Sequence, residues 1–374
     1  MINQQHRIVI DTRMINNSGI GRYTKELINA AREKYKNITL IYNHDSNNIS
    51  EYFNLPLIKF NSPIYSLKEH WEFLTKIPSC DLFISPHYNV PLFLPQAKKR
   101  MVIIPDVNHL IFNQKFSFLK KAYANFFYKW AVKRSNSVFT ISNFSKNEIV
   151  KYTQCNPQKI QVSLLSIDKD YFIRQRNSYI PNQIITQYTS FKYLLFVGNV
   201  KPHKNIKRVL WAFKQVLVLY PNLKFVIVGK KEKLLNGDDE VIKMVQDSES
   251  SFKNNVVFTG HISDAELAFI YQHAICLVFA SLYEGFGIPP LEAMIFNCPV
   301  ISSREGSLPE ICGDAVLYCD AYSVEDIAKK IQILMDDNTT RNALVEKGIS
   351  RLKNFDWKTF NQAMQSAIKE ELLK

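Results

Sequence analysis

Residues 283–310 read YEGFGIPPLEAMIFNCPVISSREGSLPE, and the pattern around them decides how this part of the chain folds. A strand pattern at 276–280 precedes the glycine loop 284–287, and a helical run and a second strand pattern, 299–302, follow it. This order places backbone N–H groups at a helix N-terminus above the carboxyl end of a sheet, where phosphates bind. The stretch therefore predicts a phosphate or diphosphate site.

Two carboxylates, Glu284 and Glu292, flank the predicted site. Carboxylates repel phosphate, so we expect these two side chains to accept hydrogen bonds from hydroxyl groups instead. A diphosphate beside several hydroxyl groups is the chemistry of a sugar nucleotide, which is the ligand that the stretch indicates.

The chain has 374 residues, which is enough for two domains, and 46% of its residues are hydrophobic, as in an ordinary globular protein. No stretch is apolar over the length of a membrane span, and the N-terminus lacks the core of a signal peptide, so we expect a cytoplasmic protein. The six cysteines show no CxxC or Cys/His spacing, which predicts buried free thiols and no zinc or disulfide framework.

The formal net charge of +13 fits three different environments. A basic surface collects nucleic acid through its phosphates, and it also attracts anionic lipid headgroups. A solvated basic surface without a partner explains the same charge. The charge by itself does not choose among them.

Strand and helix patterns alternate along the chain, which predicts parallel, doubly wound sheets. A polar stretch, 168–190, is predicted to be an interdomain linker, and a new series of strands begins after it at 193–197. Polar residues such as His87, Asp106 and His109 follow strands of the first half, and ligands of such sheets lie at the carboxyl ends of strands. The strand patterns of the first half fall at 7–10, 38–42, 81–85, 101–105 and 137–141.

Two glycines, Gly19 and Gly21, open the first helical pattern. Thr24 stands where a dinucleotide fingerprint has its third glycine, so the pair is a weak signal. Two interpretations stay open: an ordinary turn at a helix start, or backbone amides that reach toward a charged or hydroxylated ligand.

A basic helix is predicted at 116–134, with the sequence FSFLKKAYANFFYKWAVKR. Its aromatic side chains fall on one broad face, and its lysines and Arg134 lie mainly around that face. The pattern is typical of an element that contacts an anionic membrane surface or an acceptor. It is equally typical of a core helix with a solvated basic rim.

Lysines follow two strands of the second half of the chain. Lys201 and Lys204 flank His203 after the first strand, and Lys230 and Lys231 follow the next. Lysine after a glycine-led turn neutralises a diphosphate as a point charge. No Walker A sequence, zinc-ligand spacing or Asp-x-Asp pair stands beside these loops, which favours a diphosphate site without a metal.

Four motifs in this order resemble the retaining GT-B glycosyltransferases of family 4, and together they span nearly the whole chain. The specific part is EGFGIPPLE at 284–292, which resembles the family's E-x7-E element. Residues 307–315 are similar to its continuation, 198–205 to its Gly-x-x-x-Pro-Arg-Lys-Asn loop, and 19–23 to its N-terminal glycine loop.

The resemblance implies an α/β fold of the GT-B type, in which two facing Rossmann-like domains leave a cleft between them. The acceptor-binding domain would be 1–180 and the nucleotide-sugar-binding domain 181–355. The last helix, 356–374, would cross back to the first domain.

The resemblance also implies roles for single residues. Glu292 would bind the ribose hydroxyls of the donor, Glu284 would face the donor sugar near its reacting carbon, and Lys204 would pair with the diphosphate. The glycines of the first helix would close on the cleft. The donor-binding residues would be Gly19, Gly21, Asn199, His203, Lys204, Lys230, Phe286, Gly287, Ile288 and Glu292.

The chain departs from the family pattern at two positions. His203 replaces the arginine before the diphosphate lysine, so one fixed positive charge is missing or depends on pH. Pro105 stands where many relatives have a histidine before the aspartate. Either Asp106 with His109 or His87 takes over, or the acceptor and donor differ from those of the relatives. The predicted catalytic residues are Glu284, Asp106 and His109.

The implied reaction moves a hexose, with mannose favoured, from a nucleoside-diphosphate sugar to a hydroxyl of a saccharide or lipid-linked saccharide. The anomeric configuration would be retained, and no metal or further cofactor would be needed. GDP-mannose is the favoured donor, with UDP- and dTDP-sugars open. The setting would be surface-polysaccharide or lipopolysaccharide assembly at the inner face of the cytoplasmic membrane, with no nucleic acid as partner.

Two alternatives to a transferase stay open. One is an epimerase or phosphorylase of the same fold, which would also act on a sugar nucleotide or a glucan. The other is a basic protein without catalytic activity that binds nucleic acid or a membrane surface through the 116–134 region.

Overall fold

The computed structural model describes residues 6–46, 48–112, 117–181, 183–229 and 239–374. The chain divides into two compact units: Met1–Ser166 together with Trp357–Lys374, and Ile167–Asp356. Each unit is built on one sheet in which the described strands are all parallel, so the predicted α/β fold of two doubly wound domains is confirmed. Among the described residues, no helix combines the length and the hydropathy that a membrane-spanning helix needs.

The first unit carries a seven-stranded sheet. Its strands are β1 (Arg7–Asp11), β2 (Asn37–Tyr42), β3 (Leu57–Lys59), β4 (Cys80–Ser85), β5 (Ala97–Ile103), β6 (Ser137–Thr140) and β7 (Ile160–Val162). Its helices up to this point of the chain are α1 (Ser18–Arg32), α2 (Ile49–Tyr52), α3 (Leu67–Lys76), α4 (Asn108–Ile111), α5 (Phe118–Arg134) and α6 (Asn143–Thr153). In space the strands follow the order β3-β2-β1-β4-β5-β6-β7.

The second unit carries a six-stranded sheet. Its helices are α7 (Lys169–Ser178), α8 (Gln183–Thr186), α9 (Ile206–Leu217), α10 (Asp239–Gln246), α11 (Ser250–Lys253), α12 (Asp264–His273), α13 (Ile288–Ile295), α14 (Leu308–Cys312), α15 (Val324–Asp336) and α16 (Asn338–Arg351). Its strands are β8 (Tyr193–Val197), β9 (Lys224–Val228), β10 (Val256–Gly260), β11 (Cys276–Phe279), β12 (Val300–Ser303) and β13 (Leu317–Cys319). Their spatial order is β10-β9-β8-β11-β12-β13.

The central strands are buried along their whole length, as the continuous apolar runs of the sequence predict for parallel sheets. All residues of β8 and β11 are buried, and so are the last four residues of β1. Because β8 and β11 are neighbours, the loops that follow them lie side by side at the carboxyl edge of the sheet. These two loops carry Lys204 and Glu284.

The stretch 168–190, which the sequence predicts to be a linker, is mostly helical. The side chain of Asp168 caps α7 by accepting a hydrogen bond of 2.7 Å from the Tyr171 amide. Arg176 of α7 donates to Gln272 of α12 at 2.7 Å and lies over the ring of Phe269. The stretch therefore belongs to the second unit, which begins at Ile167 and not at 181.

The last helix, α17 (Trp357–Leu373), packs on α1 in the first unit. The Tyr23 ring meets the Phe360 ring edge-on at 5.3 Å, and the Tyr23 hydroxyl lies 3.2 Å from the sulfur of Met364. Gln365 donates a hydrogen bond of 2.7 Å to Glu33. The chain thus ends in the unit where it began.

Candidate active site

The glycine loop 284–287 runs from β11 to the start of α13, as the sequence predicts. Gly287 precedes the helix with a φ of 120°, a conformation that favours glycine. Pro289 and Pro290 occupy the first turn and have no N–H to donate. The backbone N–H groups available at this helix start are therefore those of the residues before the prolines, Phe286, Gly287 and Ile288.

A second loop, 303–307, holds the backbone of the first one. Ser307 donates through its amide and its hydroxyl to the Glu284 carbonyl at 3.1 and 3.0 Å. Gly306, with a φ of 65°, lies so close that a Cβ there would stand 2.6 Å from the Glu284 carbonyl oxygen. Sequence reasoning missed this contact, because nothing in the spacing of these residues tells that the two loops touch.

Lys204 and Glu284 form an ion pair in which Nζ lies 2.6 Å from Oε1. The two side chains are only 17% and 12% exposed. Lys204 Nζ also stands 5.2 Å from the centre of the Phe279 ring. The structure thus joins the residue predicted for the diphosphate to the residue predicted for the sugar.

Asn205 fixes the loop that carries Lys204. Its backbone is left-handed, with a φ of 60°, which asparagine tolerates better than most residues. Its side-chain amide donates to the carbonyls of Ala280 and Ala321 at 2.9 and 2.6 Å. This anchor ties the loop after β8 to the segment after β11, and sequence reasoning gave Asn205 no such role.

His203 is buried beside this ion pair. Burial, and then the charges of Lys204 and Lys201, lower the pKa of His203 to about 3. The imidazole is therefore neutral near pH 7 and does not replace the positive charge of the family's arginine. The His203 carbonyl accepts a hydrogen bond of 2.7 Å from the Leu282 amide, which holds the two loops together.

Glu292 lies on α13 and is almost fully buried. Its Oε2 accepts a hydrogen bond of 3.0 Å from the hydroxyl of Tyr271 on α12. The Tyr271 ring in turn stacks on Phe296. Tyr271 thus orients the carboxylate, a contact that the sequence did not indicate.

Of the other residues predicted for the donor, Asn199 is described by the structure and Lys230 is not. Asn199 follows Gly198 at the end of β8 and is partly exposed. Lys230 and Lys231 lie outside the described residues. The second lysine loop therefore stays a prediction.

Gly19 and Gly21 lie within the first turn of α1. The Gly21 amide donates to the Asn17 carbonyl at 2.6 Å, and a Cβ on Gly21 would collide with the backbone carbonyl of Ile15. A glycine is therefore required at position 21, because the backbone of Ile15 leaves no space for a side chain. Gly19 has open space around it.

Asp106 and His109 lie at the carboxyl edge of the first sheet, after β5. The Asp106 carboxylate accepts a hydrogen bond of 2.9 Å from the Asn108 amide at the start of α4. His109 is exposed on α4, and its ring meets Tyr88 edge-on at 5.6 Å. Their catalytic roles stay predictions.

A buried charge cluster at the same edge was not predicted as a unit. Arg13 contacts Asp11 and Glu69 at 2.7 Å each, and His87 lies 3.4 Å from Asp11. Burial raises the pKa of Asp11, but the charge and hydrogen bonds of Arg13 outweigh it and hold that pKa well below its usual range. The signal that could have found the cluster is the pair of charged residues, Asp11 and Arg13, at the end of a buried strand.

Comparison with known proteins identifies the protein family of this chain. Residues 182–351 match the family model for glycosyl transferases group 1. The chain is 30% identical over 281 residues to the O-antigen chain mannosyltransferase RfbU of Salmonella typhimurium, which covers 73% of this chain and 71% of that protein. The chain therefore belongs to the glycosyl transferases group 1 family, and the predicted family resemblance is confirmed.

The match to a second curated relative covers a smaller share of both proteins. The chain is 30% identical over 225 residues to the O-antigen chain mannosyltransferase B of Escherichia coli. This match covers 59% of the chain and 57% of that protein, a little more than half of each.

Solved structures share the whole fold. The Anabaena protein HepE in complex with UDP-glucose superposes with a TM-score of 0.77 at 15% identity, over 98% of this chain and 100% of that one. Sucrose-phosphate synthase from Thermosynechococcus elongatus gives a TM-score of 0.77 at 16% identity, over 98% and 99%. At such identities the likeness shows the fold, which is the predicted GT-B type.

Proposed function

We propose that the protein transfers a hexose, with mannose favoured, from a nucleoside-diphosphate sugar to a hydroxyl of a saccharide or lipid-linked saccharide in surface-glycan assembly. The observation that carries the proposal is the Lys204–Glu284 ion pair on adjacent loops beside the start of α13. The two O-antigen mannosyltransferases among its relatives support mannose as the sugar.

The two charges meet the two demands of the reaction. The bond from the anomeric carbon to the diphosphate oxygen breaks, the acceptor oxygen bonds to that carbon, and the acceptor's proton passes to the departing diphosphate. Lys204 and the amides before α13 stabilise the negative charge of the departing diphosphate. Glu284, as an ionised carboxylate, stabilises the positive charge that develops on the sugar ring. Arrival of the diphosphate lets Lys204 divide its contacts between the phosphate and Glu284.

Glu292 and Tyr271 serve the other end of the donor in this proposal. A buried carboxylate that is already oriented by one hydroxyl is suited to accept hydrogen bonds from the ribose hydroxyls. Neutral His203 contributes shape and backbone anchoring rather than charge. Among the described residues of the two loops, Lys204 then supplies the positive charge at the diphosphate, and Lys230 stays a predicted second source.

The finer features of the reaction belong to the same proposal. The anomeric configuration is retained, GDP-mannose is the favoured donor, and no metal takes part. Lysine and helix-start amides supply the stabilisation that a divalent cation supplies in metal-dependent enzymes.

The proposed setting is the cytoplasmic face of the membrane, where the protein is peripherally bound. Phe118 and Leu119 at the start of α5 are 82% and 77% exposed, and Lys120 beside them is exposed too. Exposed apolar side chains next to lysines are suited to an anionic membrane surface. Phe116, with which the predicted helix began, lies outside the described residues.

Thermal-shift screening with GDP-mannose, UDP-glucose and dTDP-sugars tests donor binding, because a ligand of the folded state raises the melting temperature. We expect GDP-mannose to give the largest shift. A transfer assay with a lipid-linked oligosaccharide should then release nucleoside diphosphate only when acceptor is present. Product from donor alone would point to an epimerase, and salt-sensitive DNA binding without any donor shift would point to a nucleic-acid binder.

A further inference from the structure

A groove of about 580 Å³ lies in the first unit. Leu74 of α3, Phe93 before β5, Arg100 of β5 and Arg134 at the end of α5 line it. The lining residues Pro95, Ala97 and Asn136 lie where β5 and β6 begin, so the groove opens at the amino-terminal edge of the sheet. Asp106 and His109 follow the opposite end of β5, about 20 Å away along a strand of this length.

Two guanidinium groups face the groove together with apolar side chains. Arg100 donates a hydrogen bond of 2.9 Å to the Leu94 carbonyl, and its pKa is lowered by burial and by the positive charge of Arg134. The lining residues include no aspartate or glutamate. Lys98, also in the lining, is paired with Asp81 at 2.8 Å. The charge of the two arginines is thus suited to an anion.

A stripe of partly exposed and exposed apolar side chains leads away from the groove along α5. Arg134 lies over the Trp130 ring at 4.6 Å, and Trp130 stacks on Phe126 at 5.6 Å. Phe126 is exposed, as is Leu119, which lies two turns further toward the start of the helix. The stripe joins the guanidinium of the groove to the exposed apolar end of α5.

A second apolar stripe leads away from the groove along α3, and it is exposed at Leu67 and Trp71. Leu67, Trp71 and Leu74 lie four and three positions apart, on one face of the helix. Trp71 is 70% exposed, and Leu67 is more exposed still. The two helices are neighbours, because the His70 ring of α3 stacks on the Phe127 ring of α5 at 5.4 Å. Both stripes therefore flank the groove.

We propose that this groove binds the phosphate headgroup of an anionic membrane phospholipid. Arg100 and Arg134 donate to the phosphate oxygens, since arginine matches the geometry of phosphate better than lysine does. The tryptophans and phenylalanines of the two stripes lie at the level of the headgroups and the first methylenes. The inference deepens the membrane association proposed above and does not depend on the transfer reaction.

The position of the groove has a functional consequence. A lipid held at the amino-terminal edge of the sheet leaves the carboxyl edge, where Asp106 and His109 lie, open to the acceptor. The groove thus serves docking at the membrane, and it is separate from the proposed acceptor site.

Titration of the intact protein with a soluble short-chain phosphatidylglycerol, below the concentration at which it forms micelles, tests the site by calorimetry. We expect one molecule to bind, and short-chain phosphatidylcholine to bind more weakly. The double variant R100Q/R134Q should lower the affinity for phosphatidylglycerol at least about tenfold, because charge-assisted hydrogen bonds are lost. The variant K129Q/K133Q removes the same charge from α5 outside the groove and should change the affinity by no more than about twofold.

Three outcomes would overturn the proposal. The first is an equal loss of affinity for phosphatidylglycerol in both double variants, which indicates diffuse electrostatics. The second is equally tight binding of inorganic phosphate, which indicates a plain anion site. The third is no binding of the lipid. If R100Q/R134Q shows no cooperative unfolding transition, the single variant Arg134→Gln, which changes an exposed side chain, replaces it in the titration. The titration contains neither donor nor acceptor, so its result is independent of the transferase assay, and R100Q/R134Q should retain wild-type transfer to a soluble acceptor.

Discussion

Lys204 Nζ lies 2.6 Å from Glu284 Oε1, although the two residues are 80 positions apart in the chain. Both side chains are mostly buried, so each charge depends on the other as its counter-ion. A diphosphate beside Lys204 would bring further negative charge into the pair. Donor binding and this ion pair are therefore coupled, and variants of either residue separate binding from chemistry.

Glu284→Gln should lower kcat by about a hundredfold to a thousandfold, the usual cost of removing one electrostatic stabiliser of a transition state. The affinity for nucleoside diphosphate should stay equal or increase, because Lys204 no longer shares its charge with a carboxylate. Steady-state kinetics and calorimetry measure the two effects. Glu346→Gln, at an exposed site on α16, is the control, and a wild-type kcat in Glu284→Gln would contradict the assignment.

Lys204→Met should weaken the binding of nucleoside diphosphate about tenfold to a hundredfold and leave the binding of the nucleoside unchanged. It also leaves Glu284 without its counter-ion, which should lower the free energy of unfolding by about 1–3 kcal/mol. The double variant K204M/E284Q should recover most of that stability, since no charge is then left unpaired. Lys214→Ala on α9 is the control, and equal losses for nucleoside and diphosphate would argue against a phosphate contact.

His203 should make folding stability depend on pH. The folded protein protonates this residue near pH 3, whereas an unfolded chain does so near its ordinary pKa. Between those values the unfolded state holds more protons, so stability falls as the pH decreases, by at most about 1.4 kcal/mol per pH unit. In His203→Gln the loss of unfolding free energy between about pH 7 and about pH 5 should be about 2 kcal/mol smaller than in wild type. Urea denaturation at both pH values measures it, and identical slopes would contradict the neutral buried imidazole.

Gly306→Ala should destabilise the protein and slow transfer. The substitution meets a left-handed backbone and the nearby Glu284 carbonyl, and it displaces the loop that carries Glu284. Gly260→Ala is a matched control, because Gly260 also has a positive φ but nothing within 4 Å of its Cβ position. The backbone term alone is about 1–2 kcal/mol, so the loss at Gly306 should exceed that at Gly260. A larger kcat effect at Gly260 would contradict the steric account.

Chelation should leave the transfer rate unchanged if lysine and amides stabilise the leaving diphosphate without a metal. The assay compares initial rates in EDTA with rates in added Mg²⁺ or Mn²⁺. A rate that falls to background in EDTA and returns with Mg²⁺ would show that the proposed diphosphate site is incomplete.

The central strands were predictable because each is a buried apolar run, and the structure places β8 at the predicted residues, 193–197. The edge strands β3 and β7 were not predicted. Each has three residues of mixed polarity, LIK and IQV, so neither leaves a hydrophobic period in the sequence. The helical character of 168–190 was missed for a similar reason, since α7 is mostly polar and buries only Phe172.

The glycine loop, Glu284, Glu292 and Lys204 were all singled out from local patterns. The residues that hold them in place were not: Ser307 and Gly306 for Glu284, Asn205 for Lys204, and Tyr271 for Glu292. Their contacts join segments far apart in the chain, and no local spacing reports such a contact.

The sequence by itself determined the class of fold and the chemistry available at the carboxyl edges, because periodicity, glycine spacing and charge are local properties. Tertiary structure alone decided that Lys204 meets Glu284, that His203 is buried and neutral, and that Arg100 and Arg134 face one groove. The physical reason is that ion pairing and desolvation depend on distances and burial in space. Those quantities arise only when the strands take their order in the sheet.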